Sequence, residues 1–292
     1  MTEPIVTDPI VTEEFSAQLI AIARAAGAAI LEIYNAPESS NIQIKSDNSP
    51  LTAADLAANK LIVRELQTLL AVPMISEESA LPDFSERKTW PHYWLIDPLD
   101  GTKEFIARNG EFTVNIALVV NGIPLLGVVH VPVSDETYFG VDKSIAADGK
   151  TRAEKYVAGV KTADLQTRAL VPRFTAQQPF NILVSHRHGT DVVVELLDKL
   201  HRRWPGPLQH MAAGSSLKFC LIAEGCADFY PRLAPTCEWD TAAAQAVLTA
   251  AGGVVVHAQT RQPLTCNQSE SLLNPFFLAL GDAQFNWSTL LD

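Results

Sequence analysis

Cysteine is scarce in this 292-residue chain: Cys220, Cys226, Cys237 and Cys266 form no CxxC pair and have no histidine partners at zinc-like spacing. That excludes a disulfide-stapled scaffold and a structural zinc module, and it leads us to expect reduced thiols in a cytoplasmic protein. No run of about 18 uncharged apolar residues occurs, so no integral membrane segment is expected. The most apolar early stretch, Leu19 to Tyr34, carries Arg24 and Glu32 and reads as a soluble helix. The first residues lack the basic start and apolar centre of a secretory leader. Positive charge is short as well: 22 Lys and Arg stand against 33 Asp and Glu, a net charge of −11. Nonspecific attraction to nucleic acid or anionic lipid is thereby disfavoured. No repeat of 20 to 50 residues marks a solenoid or propeller. What remains, 47% apolar and 19% charged, is an ordinary globular composition long enough for one large domain or two modest ones.

Apolar residues near 3.6-residue spacing predict a helix from Ser16 to Tyr34. A polar loop follows, and a second helix begins after the hydroxyl cap Thr52, with Leu56, Leu61, Ile62, Leu66 and Leu69 on its stripe. The period then changes. Short β-like runs cover Val72–Ser76, Tyr93–Ile96, Thr113–Val120 and Leu125–Val131, the last two joined by the turn Asn121-Gly122. Residues 134–178 alternate strand-like and polar pieces without a motif. Beyond them, strands at Asn181–Ser185, Ala227–Pro231 and Gly253–His257 interleave with helices at Asp191–Leu200, Leu217–Glu224 and Asp240–Ala251. Such interleaving indicates a layered α/β (α+β) architecture. The division is placed late in 134–178, giving an N-terminal α+β part, 1–170, and a C-terminal α/β part, 171–292.

The acid surplus raises the question of whether carboxylates converge. Glu77-Glu78 follows an apolar run, as active-site loops and ordinary solvated turns both do. The stretch Trp94-Leu95-Ile96-Asp97-Pro98-Leu99-Asp100-Gly101-Thr102 is more specific. Two acids three apart at a strand end can face one cavity; Pro98 stiffens the turn, Gly101 lets backbone N–H groups approach a ligand, and Thr102 adds a hydroxyl. Hard cations such as Mg²⁺ take several such oxygens. Asp240, after Trp239, suits a ligand or a helix N-cap; Asp55 suits a ligand or a first-turn acid complementing the helix dipole.

Together, Asp55, Glu77-Glu78, Asp97-Pro98-Leu99-Asp100-Gly101-Thr102 and Trp239-Asp240 with Gly252-Gly253 resemble the signature of the inositol monophosphatase superfamily, in order and over nearly the whole chain. The resemblance implies an alternating αβαβα sandwich of two subdomains and a Mg²⁺-dependent, lithium-sensitive phosphomonoesterase. The continuation Gly-Thr-Lys-Glu-Phe, then Asn109-Gly110-Glu111-Phe112-Thr113-Val114-Asn115, and Gly214-Ser215-Ser216-Leu217-Lys218 are similar to the CysQ-type 3′(2′),5′-bisphosphate nucleotidases. Their activity is release of the 3′-phosphate of adenosine 3′,5′-bisphosphate to give AMP, or of its sulfated form to give adenylyl sulfate, within sulfate assimilation.

By that resemblance, Glu77, Asp97 and the Leu99 carbonyl hold one Mg²⁺, and Asp97, Asp100 and Asp240 a second. Glu77 and a Thr102–Asp55 pair serve the attacking water, and two metals clamp both oxygens of an in-line displacement. Gly101 and Thr102 meet the phosphate. Gly214, Ser215 and Ser216, with Lys218 and Arg232, are assigned to the nucleotide side, with Ser185 and His188 at the nucleoside and Asp240 shared with the substrate. Lys218 also suits a solvated helix charge, and His188 a loop histidine without a role. Lys45 resembles a mobile-loop lysine over a weaker third metal. The implied partner is a small phosphonucleotide, not nucleic acid; peripheral contact with the inner membrane, known for relatives, finds no anchor or basic patch here. A sugar phosphatase acting on inositol phosphate or fructose 1,6-bisphosphate, and a noncatalytic phosphonucleotide sensor, are the alternatives.

Overall fold

A computed structural model describes residues 10–36, 43–44, 50–184 and 191–292. The chain opens with α1 (Glu13–Tyr34), the short pair β1 (Gln43–Ile44) and β2 (Pro50–Leu51), α2 (Ala53–Leu69), β3 (Met74–Ser76), α3 (Phe84–Arg87) and β4 (His92–Asp100). There follow α4 (Thr102–Ile106), β5 (Thr113–Val120), β6 (Ile123–Val131), β7 (Glu136–Val141), β8 (Arg152–Val157) and β9 (Val160–Asp164). The remainder comprises α5 (Leu170–Thr175), β10 (Phe180–Val184), α6 (Asp191–Arg203), β11 (Leu208–Ala212), α7 (Leu217–Ala223) and β12 (Phe229–Arg232). A 3₁₀ turn (Glu238–Asp240) leads into α8 (Ala242–Ala250), β13 (Val254–His257), β14 (Phe277–Leu280) and α9 (Ser288–Leu291).

Seven strands form one sheet in the order β3-β4-β5-β6-β7-β8-β9, parallel only at β3–β4. Five form a second, in the order β11-β10-β12-β14-β13, with β10 parallel to both β11 and β12. Side-chain alternation sorts each strand between two faces. Trp94, Ile96, Val114, Ile116 and Val128 pack under Leu19, Ala23, Ile30 and Ile62 of α1 and α2. Their neighbours Tyr93, Leu95, Ala117 and Val119 pack against Phe219, Ala243 and Val247 of α7 and α8, and through them against Val255 and Ala279 of the second sheet. The far face of that sheet, Phe180, Ile182, Phe229 and Leu278, is covered by Leu170, Leu200 and Leu290. Three core clusters, the middle one filling both faces of the α7/α8 layer, therefore hold together five layers of elements: the αβαβα sandwich implied by the resemblance.

Local chemistry explains the ends. Thr12 Oγ1 accepts from Phe15 N at 3.1 Å, with Glu13 and Glu14 in the first turn, so α1 starts three residues before the predicted Ser16. Helix α1 is long and apolar enough to cross a membrane, yet Leu19, Ala23, Ala26 and Ile30 are fully buried in the core. The motif-poor residues 134–178 supply β7, β8 and β9, which complete the first sheet, and α5. Helix α8 lies unusually close to β6 and β7: a Cβ at Gly127 would collide with the Ala243 carbonyl, and one at Gly140 with the Val247 backbone. Glycine in the strands and alanine in the helix permit that approach, which fixes the turn just before α8 over the sheet.

Candidate active site

The strand expected to end at Ile96 continues to Asp100, and an irregularity in it does what a strand end was expected to do. Asp97 pairs with Asn115 and Asp100 with Thr113, so three steps along β4 match two along β5. In a regular strand, positions three apart point to opposite faces; one extra residue in a bulge turns the second back to the first one's side. Pro98, which has no N–H to give a ladder, sits inside this bulge. Leu99 N donates to Asp97 Oδ1 at 3.0 Å, which closes the turn locally. Gly101 then adopts φ 91°, ψ 42°, a left-handed conformation that glycine takes without strain, and Thr102 begins α4.

Glu77 follows β3, where its N–H donates to Ile96 O at 3.2 Å, so parallel pairing brings it beside the β4 acids. Asp55 is buried in the first turn of α2. Its Oδ2 accepts from Thr52 N at 2.8 Å and Thr52 Oγ1 at 2.6 Å, a capping box. The first-turn role anticipated for Asp55 is thus present, and its charge also reaches the metal acids. Burial, then the charges of Glu77, Asp100, Asp240 and Asp55, push the Asp97 carboxyl well above the usual carboxylate range.

Asp240 does not open a helix as expected; it ends the 3₁₀ turn, and α8 begins at Ala242. Its Oδ2 accepts from Cys237 N at 2.9 Å. Beneath the turn, buried Glu238 accepts from Asn267 N at 2.8 Å. Burial raises Asp240 strongly, with Asp100 and Glu77 adding to it. One carboxylate oxygen each from Asp97, Asp100 and Asp240 falls within 4.8 Å of the others. None of the ion pairs among the described residues involves these three acids. Like charges at this distance disfavour joint ionisation, and an oxygen-only donor set with no ion pair among the described residues suits a hard divalent ion. The residues fit Mg²⁺.

A cavity of about 190 Å³ opens on this cluster. Asp100, Gly101 and Asp240 line it together with Gly214, Ser215, Ser216, Lys218 and Arg232. Lys218 is buried rather than solvated at 5% exposure, with Nζ donating to Ala213 O at 3.1 Å and Ser215 O at 2.6 Å and lying 5.2 Å from the Tyr230 ring centroid. Burial lowers its pKa to about 8 against the opposing pull of Asp100. Asp100 is raised to about 6 by burial, opposed by Lys218 and by Ser216 N, which donates to its Oδ2 at 2.6 Å. Arg232, at the end of β12, donates through Nε to Ala234 O and through Nη2 to Pro235 O.

Lys45, Ser185 and His188 lie outside the described residues. Lys103 and Glu104, quoted in the sequence only within the Gly-Thr-Lys-Glu-Phe run and given no role there, also line the cavity. Tyr230, Thr236 and Phe277 line it too and carry no local signal, since only the β12–β14 pairing brings Phe277 alongside Arg232.

The profile of the inositol monophosphatase family matches residues 11–282. The chain is 46% identical over 261 residues to the 3′(2′),5′-bisphosphate nucleotidase CysQ of Escherichia coli (strain K12), covering 89% of this chain and 97% of that protein. It is 45% identical over the same span and shares to the enzyme of that name from Shigella flexneri. The crystal structure of CysQ from Bacteroides thetaiotaomicron, a bacterial member of the inositol monophosphatase family, superposes with a TM-score of 0.75 at 42% identity, over 91% of this chain and 96% of that one. With a family match over residues 11–282 and relatives of 45–46% identity over 89% of its length, the chain belongs to the inositol monophosphatase family.

Proposed function

We propose that this enzyme is a Mg²⁺-dependent 3′(2′),5′-bisphosphate nucleotidase that releases the 3′-phosphate of adenosine 3′,5′-bisphosphate to give AMP, and acts likewise on its sulfated form. The observation that carries this reading is one cavity lined by both the acids Asp100 and Asp240 and the cations Lys218 and Arg232. A substrate with two phosphates on one small nucleoside needs both: oxygen ligands for the cations at the reacting phosphate, and fixed positive charge for the other.

In this reading Glu77, Asp97 and the Leu99 carbonyl hold one Mg²⁺, and Asp97, Asp100 and Asp240 hold another. When bound, the ions supply charge stabilisation and an acidified water. The chain does the rest. Glu77 and the Thr102 hydroxyl, with Asp55 anchored by Thr52, orient the water and take its proton. Backbone N–H groups of Gly101 and Thr102 face the transferring phosphoryl group. Gly214, Ser215, Ser216, Lys218 and Arg232 receive the second phosphate and the nucleotide, with Ser185 and His188 at the nucleoside. The units 1–170 and 171–292, whose boundary falls just inside α5, contribute acids and cations respectively, apart from Asp240. A third ion under the Lys45 loop, a cytoplasmic location and at most peripheral contact with the inner membrane complete the proposal.

A phosphate-release panel tests it. With Mg²⁺ present, adenosine 3′,5′-bisphosphate should be turned over faster than inositol 1-phosphate and fructose 1,6-bisphosphate. The reverse order assigns a sugar phosphatase, and tight nucleotide binding without phosphate release a sensor.

A further inference from the structure

Thr113 and Asn115 are buried polar residues on β5, in a stretch otherwise made of Val, Ile, Ala and Leu. In register they oppose the two β4 acids: Asn115 faces Asp97, and Thr113 faces Asp100. Directly opposed residues of an antiparallel pair project from the same sheet face, so both share the acids' side. The Thr113 and Ser216 hydroxyls lie 2.9 Å apart, and Asn115 Oδ1 accepts from both, at 3.1 Å and 2.8 Å. Ser216 N in turn donates to Asp100 Oδ2 at 2.6 Å. To deliver that N–H, Ser215 takes φ 39°, a left-handed conformation that is unfavourable for a residue with a side chain. Asn115 Nδ2 is buried with no hydrogen-bond partner, a further cost to the fold. A fold seeking only stability would put valine at both β5 positions.

Resting on the metal-site reading above, we propose that Thr113, Asn115 and Ser216 form a positioning cradle whose task is to hold Asp100 for Mg²⁺. The Ser216 N–H bonds one carboxylate oxygen and so fixes the orientation in which Asp100 approaches Asp97 and Asp240. The two hydroxyls and the Asn115 carbonyl lock the 213–216 loop in the register that makes this bond. The cradle touches no reacting atom. It acts through Asp100, as the hydrogen-bonded partners of metal ligands do.

The test is calorimetric titration of Mg²⁺ into protein stripped with a chelator, comparing wild type with Ser216→Ala, Thr113→Val and Thr113→Ser. Ser216→Ala and Thr113→Val should each weaken Mg²⁺ binding by about tenfold. Their thermal midpoints without metal should stay close to wild type, and excess Mg²⁺ should restore kcat in Thr113→Val. Thr113→Ser, which keeps the hydroxyl, should bind as wild type does. Wild-type Mg²⁺ affinity in both Ser216→Ala and Thr113→Val overturns the cradle, as does a loss that Thr113→Ser shares. Wild-type protein that takes up Mg²⁺ yet hydrolyses no bisphosphate sinks the nucleotidase reading alone, since the affinity comparison needs no substrate.

Discussion

Asp97 and Asp228 are equally buried, each 1% exposed, and the fold treats them in opposite ways. Asp228 lies between Arg168 and Arg173, with N···O distances of 2.9 and 2.6 Å, and accepts from Asn181 N at 2.7 Å. Burial still lifts its pKa, but the backbone bond and both guanidinium groups pull against that rise. Around Asp97, by contrast, burial is reinforced by four further acids. The first arrangement is complete by itself: a charge, its counter-charges, and hydrogen bonds in good geometry. Among the described residues no ion pair reaches Asp97, Asp100 or Asp240, although Lys218 and Arg232 pull Asp100 and Asp240 down from nearby. Repulsion among these buried carboxylates is offset when a divalent ion binds them, and that separates a candidate metal site from a structural ion pair.

Removing each carboxylate should therefore change stability in opposite directions. Asp228→Ala leaves two guanidinium groups facing a cavity and should destabilise the protein by about 3 kcal/mol, read from the denaturant midpoint. Activity per folded molecule should be unchanged. A stable Asp228→Ala protein would mean that the arginines find other partners and that the two sites differ less than drawn. The next effect is catalytic. Asp97→Asn deletes the ligand shared by both ion sites, so kcat should fall at least about a hundredfold. The same substitution relieves repulsion, so the metal-free variant should melt above metal-free wild type. Near-wild-type turnover would refute the metal-site reading, and a lower melting point would refute the repulsion.

How far the sequence carried this contrast depends on which residues were local. Asp97, Asp100 and the glycine after them lie in one short stretch, and their types alone suggest a cation site. A layered α/β architecture was legible too, because period 3.6 and period 2 alternate along the chain, while the five-layer order came only with the family resemblance. What stayed hidden depends on register. That three residues of β4 match two of β5 follows from strand pairing, which sequence spacing does not encode; a strand ending at Ile96 was the simpler reading. For Lys218 the sequence left a substrate contact and a solvated helix charge equally open, and only the second sheet behind Tyr230 shows that it is buried. Asp228 carries no motif, since Arg168 and Arg173 reach it across 55 to 60 residues of chain. Thr113 and Asn115 stood within a stretch quoted for its resemblance, with no hint of the bonds they make.

The smallest effect, a shift of a few degrees in melting temperature with pH, makes the sharpest test of the comparison. In metal-free protein Asp100 titrates near 6, well above the 3.8 of an unburied aspartate. A carboxyl raised on folding gives stability that is fully present below the unfolded value and is lost as pH rises through the folded one. Metal-free protein should therefore melt at lower temperature as pH rises from 5 to 7.5. Glu238, lifted to about 7 by burial, adds loss of the same sign. His130, held near 4 by burial, acts the other way, because its contribution is lost as pH falls from 6.5 towards 4. Neither Glu238 nor His130 is among the proposed Mg²⁺ ligands, so the informative quantity is the difference between the slopes measured with and without saturating Mg²⁺. The ion stabilises the ionised carboxylates and binds more strongly where they are already deprotonated, so it should flatten or reverse the Asp100 share of the slope while leaving the Asp228, Glu238 and His130 shares in place. Identical slopes with and without Mg²⁺ would show that the acid cluster, like Asp228, already has its counter-charge inside the protein.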